Sequence, residues 1–237
     1  MKVSILIPTL NEIHTIAELL DQVDRVDFGY QKEIIIIDGN SSDGTQDIIK
    51  TFAAKRDYVT FIPEKKPEGK GKAVRKGIDR STGDIVIIQD GDLEVSPFEL
   101  PKLIEPIVKG ENEVVYGSRF LDGRGQTPWI SYLGNKFVTQ LMNILFFTRL
   151  TDIVTCHKVI KRSVLNGIVL KARSFDFDSE ITALILKKKI PIKELPIKYI
   201  PRTVAEGKKL HWSVGFKVAL SIFKSRFSRR LSPTPRD

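Results

Sequence analysis

Three acids crowd into five positions where a hydrophobic run ends. The stretch "IIQDGDLEVSP", residues 87–97, passes from Ile87 and Ile88 into Asp90, Gly91, Asp92 and then Glu94. On an extended segment, positions i and i+2 point to the same side. The carboxylates of Asp90 and Asp92 therefore converge, with Glu94 next in the series. Oxygen ligands at that density suit Mg²⁺ or Mn²⁺, which also keep water and substrate phosphate in their shell. Gly91 lets the backbone approach a ligand closely. The competing reading is a solvated acidic turn ahead of a helix that starts near Ser96 and Pro97. Like charges this close repel, so the first reading requires counter-charge. Lys70, Lys72, Arg119, Arg124, Arg202, Lys208 and Lys209 lie in loop-like segments rich in Gly or Pro and could supply it. For any one of them the alternative is a solvated basic face.

The elements that must position these groups alternate along the first 118 residues. Apolar runs at 3–8, 33–38, 58–62, 84–89 and 113–118 read as strands. Between them, Ile16, Leu19, Leu20 and Val23 keep helical spacing after Asn11, a candidate N-cap. Ile48, Ile49 and Phe52 mark a second helix, and a third is predicted near 70–80. Continuous β-branched strands separated by helices predict a parallel sheet covered on both faces. In such sheets, ligands bind beyond the carboxyl ends of the strands. Pro8–Glu12, Asp38–Asp43, Gln89–Glu94 and Gly117–Arg119 fall there, which places the acids on a rim. No glycine fingerprint follows the first strand, and "GKGKAVRKG" at 69–77 lacks the Gly-Lys-Ser/Thr of a P-loop.

Composition narrows the class. The chain has 237 residues, enough for one large domain, and a net charge of +9, which favours anionic partners. A single cysteine, Cys156, excludes an internal disulfide framework. Three scattered histidines make a multi-His zinc site a poor fit. The longest apolar stretch, 137–147, is too short to span a bilayer, which needs about 20 apolar residues. Basic residues interleaved with stacking aromatics would mark a nucleic-acid binder, but the aromatics concentrate late in the chain, away from the Lys-rich loop at 65–76, so no nucleic-acid partner is expected.

Taken in order, "SILIPTLNE", "IIIIDGNSSDGT", "GKGKAVRKGI", "STGDIVIIQDGDLE" and "VVYGSRF" resemble the motifs of family 2 glycosyltransferases. The later blocks "LTDIVTCHKVIKRSVL", "FDFDSEI" and "YIPRTVAEGKKLHW" are similar to the dolichyl- or polyprenyl-phosphate hexose (mannose or glucose) synthase branch. The match covers about residues 1–225. It implies an α/β, GT-A-like nucleotide-binding fold with a mostly parallel central sheet and C-terminal amphipathic helices. Residues 1–225 would form one catalytic domain, with a nucleotide-sugar half at 1–118, an acceptor half at 119–225 and a basic tail at 226–237.

The resemblance also implies roles. Asp90 and Asp92, with Glu94, would hold Mg²⁺ or Mn²⁺ against the diphosphate of a UDP- or GDP-linked sugar. Pro8, Leu10, Glu12, Asp38, Gly39, Lys72, Gly91, Arg202 and Lys208 would complete the donor site. Many relatives carry a second acid where Gly39 stands, which leaves the base open. Asp92 and Arg119 would be catalytic, and Arg119, Thr155, Lys158 and Lys209 would meet the acceptor phosphate. The implied reaction moves one sugar to dolichyl or polyprenyl phosphate with inversion. The alternative acceptor is a soluble or glycan hydroxyl, for which Asp176, Asp178 and Glu180 are candidate bases; their other reading is charge at a helix N-terminus. Segment 205–212 would be a lid. His14 reads as a surface residue, His157 as a candidate for the acceptor channel, and Cys156 as a small buried side chain.

A lipid-borne acceptor requires contact with a membrane surface. Trp212, Phe216, Leu220, Phe223 and Phe227 fall on one helical stripe, with Lys217, Ser221, Lys224 and Ser228 opposite. Packing on the protein's own core is the alternative. Residues 129–149 are a second apolar candidate. These features predict a cytoplasmic protein, peripheral to the inner membrane face, with room for a membrane-protein partner or a homo-oligomer.

Overall fold

Uninterrupted β-branched runs build the centre of the molecule. The computed structural model describes residues 1–174, 176–202 and 214–227, and for residues 214 and 216 the backbone alone. β1 (Lys2–Thr9), β2 (Gln31–Asp38), β3 (Val59–Pro63), β4 (Ile85–Ile88) and β5 (Val114–Ser118) are the five expected strands. Stiff Ile and Val side chains favour this extended backbone and pack on both faces of it. β1 lies parallel to β2, from Lys2 opposite Gln31 to Thr9 opposite Asp38, and parallel to β4 on its other side. Two short strands complete the sheet, β6 (Lys158–Lys161) and β7 (Lys193–Pro196), in the order β3-β2-β1-β4-β6-β5-β7. β6 runs antiparallel to both its neighbours, while β7 is parallel to β5.

Helices cover both faces. α1 (Ile16–Arg25), α2 (Thr45–Ala53) and α4 (Leu100–Val108) bury Leu19, Ile49 and Leu103 against Ile5, Ile7 and Ile36. α3 (Lys70–Arg80) and α7 (Phe177–Lys187) bury Val74 and Ile181 against Leu6, Ile35 and Ile37. Alternate residues of one strand thus serve opposite layers. α5 (Trp129–Phe146) and α8 (Val214–Phe227) join α7 in a third cluster through Val138, Met142, Ala183, Val218 and Ile222. A four-residue turn of helix, α6 (Arg162–Leu165), follows β6.

Two local expectations are corrected. Asn11 does not cap α1, which begins at Ile16 after Thr15. Asn11 instead has φ 52° and accepts a hydrogen bond from the Ser42 amide at 2.9 Å, which ties the end of β1 to the loop after β2. In α8 the buried residues are Val218, Ser221, Ile222 and Ser225, so Ser221 faces inward, while Leu220, Phe223 and Phe227 face outward. Trp212, Phe216 and Ser228 lie outside the described side chains, as do the residues beyond 227.

Candidate donor site

β1, β2 and β4 end on one edge of the sheet, and a cavity of about 310 Å³ opens there. Its wall includes Pro8, Leu10, Glu12, Gly39, Asp90, Gly91, Asp92, Glu94, Arg119 and Arg202, together with Lys70, Asp178 and Tyr199. The acids past β4 sit on a tight turn. Leu93 has φ 56°, and the Thr15 hydroxyl donates to the Gly91 carbonyl at 2.8 Å. A Cβ on Gly91 would stand 3.1 Å from Thr9 Cγ2, a tight contact that packs the turn closely on the end of β1.

Each acid of the turn meets a cation. Lys70 Nζ lies 2.8 Å from Asp90 Oδ2. Arg202 reaches Glu12 Oε2 at 2.8 Å and Asp92 Oδ2 at 3.1 Å. Its backbone amide donates to Glu94 Oε1 at 2.9 Å, and the Tyr199 hydroxyl donates to Glu94 Oε2 at 3.0 Å. The cations do not fully offset the clustered charge. Burial, then Asp90 and Glu94, push the Asp92 carboxyl up to about 7, against the pull of Arg202. A group in that state gains when a further cation arrives. Two carboxylates open to one cavity fit a hard divalent ion whose remaining positions go to water and substrate oxygens. Among the described residues no three His, Cys, Asp or Glu side chains form a ready-made metal cage.

Arg119 is held rigidly. Its guanidinium forms a two-point pair with buried Asp152, at 2.7 and 2.9 Å, and lies 5.1 Å from the ring centres of both Phe120 and Tyr199. Burial opposes its charge, but Asp152 outweighs that and the net shift is upward.

Other expected residues lie elsewhere. Lys72 pairs with Glu68 on the outer side of α3 and is absent from the cavity wall, where Lys70 stands instead. Thr155 is buried and its hydroxyl donates to the Gly117 carbonyl at 2.5 Å. Lys158 is fully buried beside Asp178, at 2.6 Å. Asp38 is buried too and accepts from the Ser41 amide and hydroxyl at 2.8 and 2.5 Å, so Gly39 is what β2 presents to the cavity. Asp176 accepts from the Ser174 amide at 3.0 Å, and Glu180 accepts from the Ala172 amide at 2.8 Å. Lys208, Lys209 and the expected lid at 205–212 lie outside the described residues. Cys156 lines the cavity and its thiol is pushed up by burial.

The sequence places Gln89 on the rim as the start of Gln89–Glu94 but assigns it no role of its own. Its amide donates to the carbonyls of Asp90 and Val95, at 3.0 and 3.3 Å, and so spans the acidic turn. Its oxygen is left to accept from His157 Nε2 at 2.7 Å. Burial, then Lys102 and Lys158, hold His157 down at about 3, so this buried ring is neutral and braces the turn from below. A Gln beside a more conspicuous acid gave no separate signal.

Residues 4–169 match the model of glycosyl transferase family 2. The chain belongs to that family. Among curated relatives of this family 2 chain, a dolichol-phosphate mannosyltransferase of Pyrococcus furiosus is 30% identical over 88% of the chain and 59% of its own length. Glycosyltransferase AglJ of Haloferax volcanii is 28% identical over 84% of the chain and 63% of its own length. The chain thus spans less than two thirds of either relative. Glucosyl-3-phosphoglycerate synthase from Mycobacterium tuberculosis, solved with Mn²⁺, UDP and phosphoglyceric acid, superimposes with a TM-score of 0.73 at 19% identity, over 95% of this chain and 78% of the other. That likeness confirms the expected GT-A type of fold.

Proposed function

We propose that this chain moves one sugar from a nucleotide diphosphate sugar to a polyprenyl or dolichyl phosphate at a membrane surface. The observation that carries the reading is one cavity, at the carboxyl edge of the sheet, in which Asp90 and Asp92 face Lys70, Arg119 and Arg202. The mannosyltransferase relative supports the lipid acceptor by name, and the mycobacterial structure supports a UDP-type donor with Mn²⁺. Asp90 and Asp92, with Glu94 beside them, would hold Mg²⁺ or Mn²⁺, which when bound neutralises diphosphate charge. Arg202 is placed to turn from the acids to the same phosphates, while Lys70 stays beside Asp90.

The chemistry asks little more of the chain. A phosphate monoester, with a second pKa of about 6, is mostly dianionic near neutrality. Its oxygen forms the new bond to the anomeric carbon as the bond to the diphosphate breaks. The electron pair leaves with the nucleotide, and the anomeric centre inverts. No proton has to be removed from the nucleophile. A hydroxyl acceptor would need a base, and the candidate Asp178 has one oxygen 2.6 Å from Lys158 and the other 3.6 Å from Lys70. Arg119, fixed by Asp152, has a rigid charge to offer the incoming phosphate.

Membrane contact has support on α5. Ile130, Leu133, Phe137, Ile144 and Phe147 lie on one stripe at the end of and along this helix, and Ile130 and Phe147 are 82% and 91% exposed. The neighbouring α8 presents Leu220, Phe223 and Phe227, and neither helix contains an acid. Exposed apolar side chains on helices whose charged residues are all basic suit an anionic lipid surface. Among the described residues no helix is long and apolar enough to cross a membrane. The deciding experiment supplies UDP- and GDP-linked sugars with Mn²⁺, with or without polyprenyl phosphate. Sugar transfer only when the lipid phosphate is present supports the reading; equal transfer to water-soluble hydroxyl acceptors contradicts it.

A further inference from the structure

From the cavity wall inward, four charges of alternating sign stand in a row. Lys158, on antiparallel β6, donates to Asp178 Oδ1 at 2.6 Å and also to the Thr155 carbonyl. Asp178 Oδ2 is 3.6 Å from Lys70 Nζ, and Lys70 is 2.8 Å from Asp90 Oδ2. Lys158 and Asp178 are buried and Lys70 nearly so. We infer that Asp178 is a positioning residue of the donor site, which through Lys70 sets where the Asp90 carboxylate stands. This inference rests on the donor-site reading above.

The row is anchored at both ends of Lys70. At its backbone, the first turn of α3 is pressed onto residues 172–174, and the Gly71 amide donates to the Arg173 carbonyl at 3.1 Å. A Cβ on Gly71 would come within 2.6 Å of the Ala172 carbonyl oxygen, and one on Gly69 within 2.2 Å of the Arg173 oxygen, so two glycines allow this approach. At its tip, the ammonium bonds Asp90 and forms a longer ion pair with Asp178. Burial works against the charge of Lys70, but Asp178 and then Asp90 outweigh it and keep it cationic. Asp178 is anchored in turn: the Thr182 hydroxyl donates to its carbonyl at 2.7 Å and also meets Tyr116 Oη at 3.0 Å.

Without Asp178, the flexible stem of Lys70 would be free to swing, and the Asp90 carboxylate bonded to it would move with it. Asp178 shares that ammonium and holds it at the back wall. Asp90 then keeps its other oxygen and its orientation for an incoming cation or phosphate-bound ion. Lys158 offsets the second half of the Asp178 charge.

The bland role for Asp178 is neutralising Lys158, and a double substitution separates the two. Asp178→Asn alone strands a buried ammonium, and the chain is expected to lose stability. Asp178→Asn with Lys158→Met removes both charges, and the melting temperature should return close to the wild-type value. UDP and GDP binding in the presence of Mn²⁺, measured by calorimetry, should nevertheless stay about tenfold or more weaker in the double variant, the scale of one charged hydrogen bond. Donor KM should rise with it. Wild-type binding by a folded double variant would overturn the inference. Should the double variant fail to fold, Asp178→Glu keeps the charge against Lys158 while moving Lys70; weakened binding at an unchanged melting temperature is expected, and unchanged binding overturns the inference. Failure of the wild-type chain to bind either nucleotide would instead remove the donor-site reading, and this inference with it.

Discussion

Replacing Asp92 with Asn should make the ligand-free protein more stable, by a margin that grows with pH up to about 7. The Asp92 carboxyl is pushed from 3.8 up to about 7, first by burial and then by Asp90 and Glu94. Below the unfolded value both states carry the proton, and the site costs nothing. As pH rises, the unfolded chain releases that proton before the folded one does, so the cost grows and is complete above about 7. At about 1.4 kcal/mol per pH unit, the gap between 3.8 and about 7 corresponds to about 4 kcal/mol. The 3.1 Å pair with Arg202 is already part of that balance. Urea unfolding of wild type and Asp92→Asn in chelator, from pH 4 to pH 8 in the range set by this pKa, reads the difference directly. The expected gap is near zero at the acid end and approaches about 4 kcal/mol in favour of Asn at the alkaline end. Added Mn²⁺ should narrow that gap, stabilising wild type by about 2.7 kcal/mol at a hundredfold excess over its Kd. Equal stability at every pH, or loss of stability in the Asn chain at pH 8, would refute the account of a strained acid cluster.

Arg119 and Arg202 should separate by phenotype. Arg119→Ala leaves Asp152 buried without its partner and should cost about 3–5 kcal/mol in unfolding measurements. Arg202→Ala relieves nothing so deep and should lower kcat/KM by about tenfold or more with a much smaller change in melting temperature. Gly71→Ala should destabilise by about 1–3 kcal/mol in denaturant titration, because its Cβ meets the Ala172 carbonyl. Phe137→Glu combined with Phe147→Glu should weaken sedimentation with anionic vesicles while leaving the melting temperature unchanged, since both side chains already face outward.

Much of this fold is legible in the sequence. Strands that bury both faces announce themselves as unbroken Ile and Val, and the acids of the site were visible because they stand where such runs stop. β6 and β7 were not visible. Each has four residues, "KVIK" and "KELP", and a lysine inside a strand reads as surface. Lys158 is inside only because Asp178, twenty positions on, faces it. The exchange of Lys72 for Lys70 has a simple cause. Residues two apart on a helix point to nearly opposite sides, so only one of the pair can look into the cavity, and helical phase could not be set from a lysine-rich turn. Thr155 has a hydroxyl that any ligand could use, but a backbone carbonyl takes it first. The reach of Arg202 to Glu12 and Asp92 is a tertiary fact with no local signature.

That reach has a consequence for biogenesis. Glu12 and Arg202 are separated by 190 positions. At a translation rate of about 5–20 residues per second, the first of them waits about 10–40 s for the second. Once Glu94 has been made, a nascent chain holds Glu12, Asp92 and Glu94 without the arginine that pairs with them until synthesis reaches Arg202. Early-emerging segments therefore have reason to stay loosely collapsed, or to borrow a soluble counter-ion from the surroundings, until synthesis is nearly done.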